Sequence, residues 1–254
     1  MIHVKSTHPP VCVVVPSPGN LARYTAFEMS LEGLLAPQGS FVARVRGSSS
    51  LALGVNAAVK MVIESPQTAN VGRFFFVDDD HEFDQHVLVR LLETMDASQR
   101  ATDEEYRIRV LMALCMRKEP PFDLMAFSAS VDDHKAGFKT KFVNLMADQV
   151  AALHGPYPVK HVGRGGLLVD SLVFQRIPPP WFQVGQIDPE EFQEDMHFSD
   201  LCRAHGFQPY VHLDVVTGHT EPVSVFPHRL EDGTVVPMLR WGNGKSIVMR
   251  GLKP

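Results

Sequence analysis

RFFFVDDDHEF, residues 73–83, sets an apolar run directly against three consecutive aspartates. The run from Phe74 to Val77 reads as a buried strand, and it delivers Asp78, Asp79 and Asp80 to the point where that strand ends. Three adjacent carboxylates repel one another and are costly near a core unless a cation offsets them. A divalent metal is the simplest offset. Hard oxygen ligands suit Mg²⁺ or Mn²⁺, ions that usually hold a substrate diphosphate with one or two protein carboxylates. The competing reading is a solvated turn that caps a helix beginning near Asp84. The local sequence leaves both open.

Working outward, Val11 to Val15 is a continuous β-branched and apolar run closed by Pro16, Pro18 and Gly19, the pattern of a strand covered on both faces. Asn20 is placed to cap a helix through Leu35. Phe41 to Val45 reads as a second strand, Gly47 to Ser50 as a turn, Leu51 to Glu64 as a helix and Asp84 to Met95 as another. Strand and helix thus alternate three times over the first hundred residues. That order predicts an α/β domain of Rossmann-like type with a mostly parallel central sheet flanked by helices, and ligand at the carboxyl ends of its strands.

The chain has 254 residues, 44% of them hydrophobic, enough for one large core. A net charge of −5 gives no global attraction for nucleic acid or anionic membrane, so any contact with a polyanion must be local. Cys12, Cys115 and Cys202 are far apart and each lies among apolar residues, which reads as small buried hydrophobes in a reducing compartment and not as a disulfide framework or zinc site. The opening MIHVKSTHPP lacks the apolar segment of a secretion signal, so a cytoplasmic protein is expected.

The middle is less regular. Arg107 to Arg117 fits strand or helix by periodicity, and the Glu119-Pro120-Pro121 stop favours an extended reading, as for Leu124 to Phe127. Ser130 to Lys141 is polar, carries Lys135, Lys139 and Lys141, and reads as a mobile loop. Val162-Gly163-Arg164-Gly165-Gly166 precedes an apolar run, and Pro178-Pro179-Pro180-Trp181-Phe182 follows. Phe192 to His205 reads as a helix stopped by Gly206, and Phe207 to Val216 as a strand. Asp232-Gly233 and Asn243-Gly244 are hairpin signals near the end. The expected organisation is a main domain over 1–222 with a hairpin-like extension over 223–254 packed on it.

Three features recur in order: the strand ending in Asp78-Asp79-Asp80; the glycine-rich segment leading to Pro180-Trp181-Phe182; and Glu194-Asp195-Met196-His197-Phe198 opening a helix, with Gly218-His219 after a strand. Over residues 10 to 222 this series resembles the GT-A nucleotide-sugar glycosyltransferases, especially the compact forms of bacteria and bacteriophages. The resemblance implies that Asp78 and Asp80, around the intervening Asp79, hold the ribose and a Mn²⁺ or Mg²⁺ ion on the donor diphosphate. It implies that His219 completes the metal's ligands. Asp195 maps to the general base of inverting members, with Glu194 as the less favoured candidate. Gly165 and Gly166 map to the backbone that closes over donor and acceptor sugars, Asn56 to a nucleotide contact, and Pro16 to a place beside the base. Arg46 stands near where relatives carry a base-reading aspartate, and is expected to meet phosphate instead.

The residue types suit that chemistry. Departure of the leaving group puts charge on a diphosphate, which a metal neutralises without a general acid. A carboxylate such as Asp195 can take the proton of the attacking hydroxyl, an effect typically worth about 10²–10⁴-fold. Each residue also has a plainer reading. Asp195 suits a helix cap, and His219 is one of 12 histidines. His81 lies nearer the acids and is not excluded as a ligand. Trp181 either plugs the core or, if exposed, offers a stacking platform to the acceptor.

The expected function is metal-dependent transfer of a sugar from a nucleotide-diphosphate sugar, a UDP-sugar above all, to a hydroxyl. The resemblance implies inversion, and an acceptor that is a saccharide, a protein or the hydroxylated bases of DNA. A DNA acceptor needs a local basic surface, for which Lys135, Lys139, Lys141, Lys160, Arg164, Arg240, Lys245, Arg250 and Lys253 are the candidates. The alternatives are a nucleotidyltransferase using the same metal and a non-catalytic module that binds nucleotide-sugar or DNA.

Overall fold

The computed structural model describes residues 1–17, 24–46, 51–101, 103, 107–117, 122–133, 139–187, 190–192, 194–242 and 244–250. Its centre is one sheet. Seven strands lie side by side in the order Pro156–Pro158, Pro209–His219, Val110–Leu114, Leu167–Asp170, Arg73–Phe76, Val11–Ser17 and Phe41–Arg46, and an eighth, His81–Phe83, pairs with the end of Pro209–His219. Alternation within the strands sends side chains to two cores. Cys12, Val14, Phe74 and Phe76 face one, under the helix Leu51–Glu64; Val11, Val13, Val15 and Phe75 face the other, under the helix Val87–Gln99. Both cores are closed to water, which is why the strands read as unbroken apolar runs.

The three strands of the first half are parallel, as expected: Val11–Ser17 runs alongside both Phe41–Arg46 and Arg73–Phe76. The sheet as a whole is mixed and not mostly parallel. Leu167–Asp170 lies antiparallel between Arg73–Phe76 and Val110–Leu114, and Pro156–Pro158 and His81–Phe83 are antiparallel to Pro209–His219. The cause is the point of entry. Gly166 donates its amide to Phe76 O at 2.9 Å and accepts from Ala113 N at 2.9 Å, so the chain enters the sheet at the carboxyl end of Arg73–Phe76 and must run back down. An apolar run reveals a strand but not its direction.

Other expectations meet the structure in part. The first helix spans Thr25–Gly33, while Asn20 and the Gly47–Ser50 turn lie outside the described residues, as do Glu119, Pro120 and Pro121. Arg107 to Arg117 is extended through the strand Val110–Leu114. Of the segment read as a mobile loop, 130–133 and 139–141 lie in two antiparallel strands, Ala126–Asp133 and Lys139–Asn144, while 134–138, Lys135 among them, and the side chains of Lys139 and Lys141 lie outside the described residues. At the end of the chain Val223–Arg229, Val235–Trp241 and Ser246–Val248 form a separate antiparallel sheet, turned at Asp232-Gly233 with Gly233 at φ 85°. Gly244 turns the second hairpin, while Asn243 lies outside the described residues. Trp241 of this sheet meets Phe122 with ring centroids 5.7 Å apart.

Candidate active site

The acidic triplet forms a tight turn at the carboxyl end of the central sheet. His81 N donates to Asp78 O at 3.2 Å, and the chain returns at once as the strand His81–Phe83. Each aspartate has an internal partner. Arg164 donates to Asp78 Oδ1 from Nε at 3.0 Å and from Nη2 at 2.9 Å. Ser17, at the end of its strand, donates its hydroxyl to Asp79 Oδ2 at 2.6 Å, and His81 Nδ1 lies 3.1 Å from Asp80 Oδ1. The turn is therefore compensated within the protein, and a bound ion is not the condition for burying it. Asp84, beyond the triplet, accepts the His86 amide at 2.8 Å, but the helix Val87–Gln99 has His86 at its N-cap with no side-chain cap bond, so the capping role that the sequence left open is not what this contact supplies.

Arg164 links this turn to the late helix. That helix spans Glu194–Ala204, with Glu194 and Asp195 in a first turn where carboxylates favour the helix dipole, and Gly206 at φ 80° just past its end. Arg164 Nη1 donates to Glu194 Oε1 at 2.7 Å. Ser199, one turn along, donates to Asp195 O at 2.9 Å and accepts from Val162 N at 3.2 Å, which fixes the helix to the glycine-rich segment. Two acidic sites more than a hundred residues apart in sequence thus meet around one buried guanidinium. The expected basic surface loses Arg164, which is buried and paired with acids, so it cannot contribute to binding a phosphate backbone.

Asp195 is buried, and burial pushes its carboxyl up; Arg164 and the Met196 amide oppose this while Glu194 and Asp78 add to it, leaving it at about 7. Burial works against the Arg164 charge, yet Asp78, Glu194 and Asp195 outweigh it and raise that group further above its ordinary value. Asp195 Oδ1 accepts from Met196 N at 2.8 Å, a cap-like bond made alongside whatever Oδ2 does.

Behind the triplet lies a second group of side chains. His81 Nε2 is 3.7 Å from Cys115 Sγ, and Cys115 Sγ is 3.6 Å from His219 Nδ1. The imidazole centroids of His81 and His219 are 4.1 Å apart, because their backbones are paired across the short antiparallel ladder. His219 Nδ1 also lies 2.7 Å from Met116 O. Burial raises the Cys115 thiol, but hydrogen bonding to His219 and His81 outweighs it and brings it down; burial lowers His81, but Asp80 and Cys115 outweigh it and bring it up. Cys12, Cys115 and Cys202 are all free and buried, as expected, though Cys115 has polar company that its apolar sequence neighbours do not betray.

The remaining expected residues separate into those near this end of the sheet and those behind it. Pro16 and Arg46 lie at the carboxyl ends of the adjacent strands Val11–Ser17 and Phe41–Arg46, where Pro16 pairs with Val45 and Ser17 with Arg46; the side chain of Arg46 lies outside the described residues. Gly165 lies against His81, with a Cβ there falling 2.1 Å from His81 Nε2, and Gly166 adopts φ 80°. Asn56 is committed to the backbone: it accepts from Trp181 N at 2.9 Å and Phe182 N at 3.1 Å, and donates to Phe182 O at 2.6 Å. Trp181 plugs the core, donating its indole N–H to Ile177 O at 2.7 Å, so of its two readings the stacking platform is lost.

Carboxylate oxygen is the donor type that Mg²⁺ and Mn²⁺ take. Both Arg164 bonds to Asp78 go to Oδ1, which leaves Oδ2, and the carboxylates of Asp78 and Asp80 are 26% and 21% exposed. Sequence reasoning passed over two residues that matter here, Arg164 as the link between the acids and Cys115 as the neighbour of two histidines. A lone arginine among glycines, ahead of an apolar run, was the available signal for the first. No comparable signal marks Cys115.

Fold and site together define a mixed α/β domain that gathers acidic groups at one end of its central sheet. No family model matches the chain, and no curated protein matches its sequence. Among solved structures it shares its fold with A197 from STIV, at 12% identity and a TM-score of 0.53 over 95% of both chains. Looser likenesses are to S. aureus TarS 1–349 in complex with UDP-GlcNAc, at 13% identity and a TM-score of 0.47 over 84% of this chain and 59% of that one, and to a second structure of S. aureus TarS 1–349, at 12% and 0.46 over 83% and 60%. No described helix is long and apolar enough to cross a membrane.

Proposed function

We propose that the chain is a glycosyltransferase that moves a sugar from a nucleotide-diphosphate sugar to a hydroxyl acceptor, with Asp195 as the general base. The observation that carries this reading is the union, through Arg164, of the Asp78-Asp79-Asp80 turn with the Glu194-Asp195 helix start. The GT-A resemblance assigns those two segments to donor and acceptor sides of one reaction.

Asp195 suits the base role. A carboxyl held at about 7 is half ionised near neutral pH and keeps the driving force to accept a proton from a hydroxyl as the glycosidic carbon is attacked. Arg164 keeps Asp195 from rising further and holds Glu194 and Asp78 in fixed positions. Asp78 and Asp80 would hold Mn²⁺ or Mg²⁺, which neutralises charge on a departing diphosphate. Ser17 fixes Asp79 beside the ends of the first two strands, where Pro16 and Arg46 suit the nucleotide. A UDP-sugar is the donor to try first, and a saccharide the acceptor favoured over DNA now that Arg164 is withdrawn from the basic surface.

Calorimetric titration with UDP-, GDP- and TDP-sugars, in Mn²⁺ and in EDTA, tests the reading. Binding of one donor that needs the metal and is weakened in Asp80→Ala is the expected result; no metal-dependent binding by any nucleotide sugar would overturn it.

A further inference from the structure

We propose that His81, Cys115 and His219 form a site for a borderline-soft divalent ion of the Zn²⁺ type, chemically distinct from the hard, oxygen-ligated ion of the donor site. One ligand atom from each of the three residues lies within 4.8 Å of the others. Zinc bound to thiolate at about 2.3 Å and imidazole at about 2.0–2.1 Å in a tetrahedron sets each sulfur–nitrogen edge at about 3.6 Å. The two sulfur–nitrogen distances here are 3.7 and 3.6 Å. Two of the three edges therefore match, and the third, between the two nitrogens, is at most 4.8 Å, against about 3.3 Å in the tetrahedron.

The outer contacts agree with such a site. A ligating histidine usually donates its other ring N–H to a carboxylate or carbonyl, which fixes the ring and its tautomer. Asp80 Oδ1 stands 3.1 Å from His81 Nδ1, so His81 turns Nε2 toward Cys115. Gly165 leaves the space that the His81 ring occupies, since a Cβ there would fall 2.1 Å from His81 Nε2. His81 and Cys115 are 1% and 2% exposed, whereas His219 is only half-buried and gives an ion a way in.

Sulfur also has more neighbours than one proton can serve: His81 Nε2, His219 Nδ1 and Met116 O, the last at 3.4 Å. On binding, the proton shared by Sγ and His81 Nε2 leaves to solvent, and His219 changes tautomer by exchange with solvent, its proton passing from Nδ1, where it now points to Met116 O, to Nε2. A thiolate and two imidazoles then form the set that favours Zn²⁺ over Mg²⁺. His219 thereby serves this ion, and Asp80 lies between it and the donor metal.

The test is titration of metal-free full-length protein with Co²⁺ and then Zn²⁺, with no nucleotide sugar present, so that its outcome is independent of whether the protein transfers sugar. One Co²⁺ per chain with a thiolate-to-cobalt charge-transfer band, displaced by Zn²⁺ and lost in Cys115→Ser, is expected. Asp80→Ala, which removes the outer partner of His81, should weaken binding about 10–100-fold; Asp80 is also assigned to the donor metal, so the loss is read in the thiolate-to-cobalt band, which an oxygen-ligated ion does not give. X-ray absorption of the zinc-loaded wild type needs no variant, and should count one sulfur and two imidazole nitrogens. A cobalt spectrum unchanged by Cys115→Ser, an all-oxygen shell around zinc, or no retained ion would overturn the proposal.

Discussion

Arg164 and Asp78 are joined by two hydrogen bonds that converge on a single carboxylate oxygen, while the third arm of the same guanidinium holds Glu194. Removing the arginine as Arg164→Met would leave three carboxylates facing one another in a site with little water. Breaking a buried pair in this way costs about 3–5 kcal/mol, and the loss should appear as a lower urea midpoint. Arg164→Lys keeps the charge but not the fork, and should fall between the two.

Asp195 ties stability to pH. Its carboxyl is held at about 7 in the folded chain but returns to about 3.9 when unfolded. Between these values the folded state binds the extra proton, so raising pH through that window removes stability, on the order of 4 kcal/mol by pH 8. Asp195→Asn lacks the ionisation and should be more stable than wild type at pH 8, with the advantage shrinking to little at pH 4. Urea unfolding of both proteins across that range checks the sign. Under the same account, kcat/KM should rise with pH and level off above about 7.

Asn56 distinguishes a positioning role from a nucleotide contact. Its amide satisfies both N–H groups and one carbonyl of the Trp181-Phe182 backbone, which seats Phe182 against Phe198 at 4.7 Å. Asn56→Ala should cost about 1–3 kcal/mol in thermal or urea unfolding and leave donor affinity unchanged. Lost donor affinity with unaltered stability would restore the nucleotide contact.

Gly165→Ala places a methyl group where His81 Nε2 now lies, 2.1 Å from the added carbon. His81 has no room to yield, so overpacking of about 1–3 kcal/mol and displacement of the imidazole are expected. A lower melting midpoint together with a shifted His81 ring resonance would show both effects.

The strands and most helices were legible because unbroken apolar runs and turn residues leave a local trace: Leu51–Glu64 appears with the bounds its pattern predicts. Direction within the sheet was not legible. Leu167–Asp170 owes its reversed sense to the crossing at Gly166, a tertiary fact. At the site, the acids of residues 78–80 and 194–195 were legible from type and order, but their neutralisation was not. Three adjacent aspartates do not need a metal in order to fold here, because Arg164, Ser17 and His81 attend them. Pairing across eighty residues leaves no periodic signal. Trp181 shows the same limit: an aromatic after three prolines looks identical in sequence whether it stacks on a ligand or plugs a core.

The central claim is sugar transfer with Asp195 as base, and the most direct measurement is release of nucleoside diphosphate from nucleotide sugars by wild type and Asp195→Asn, each in Mn²⁺, Mg²⁺ and EDTA. The account predicts metal-dependent release from one donor by the wild type, and in Asp195→Asn retained donor affinity with release reduced at least about 10²-fold. Equal release by both proteins, or none by the wild type with any donor and acceptor offered, would contradict it.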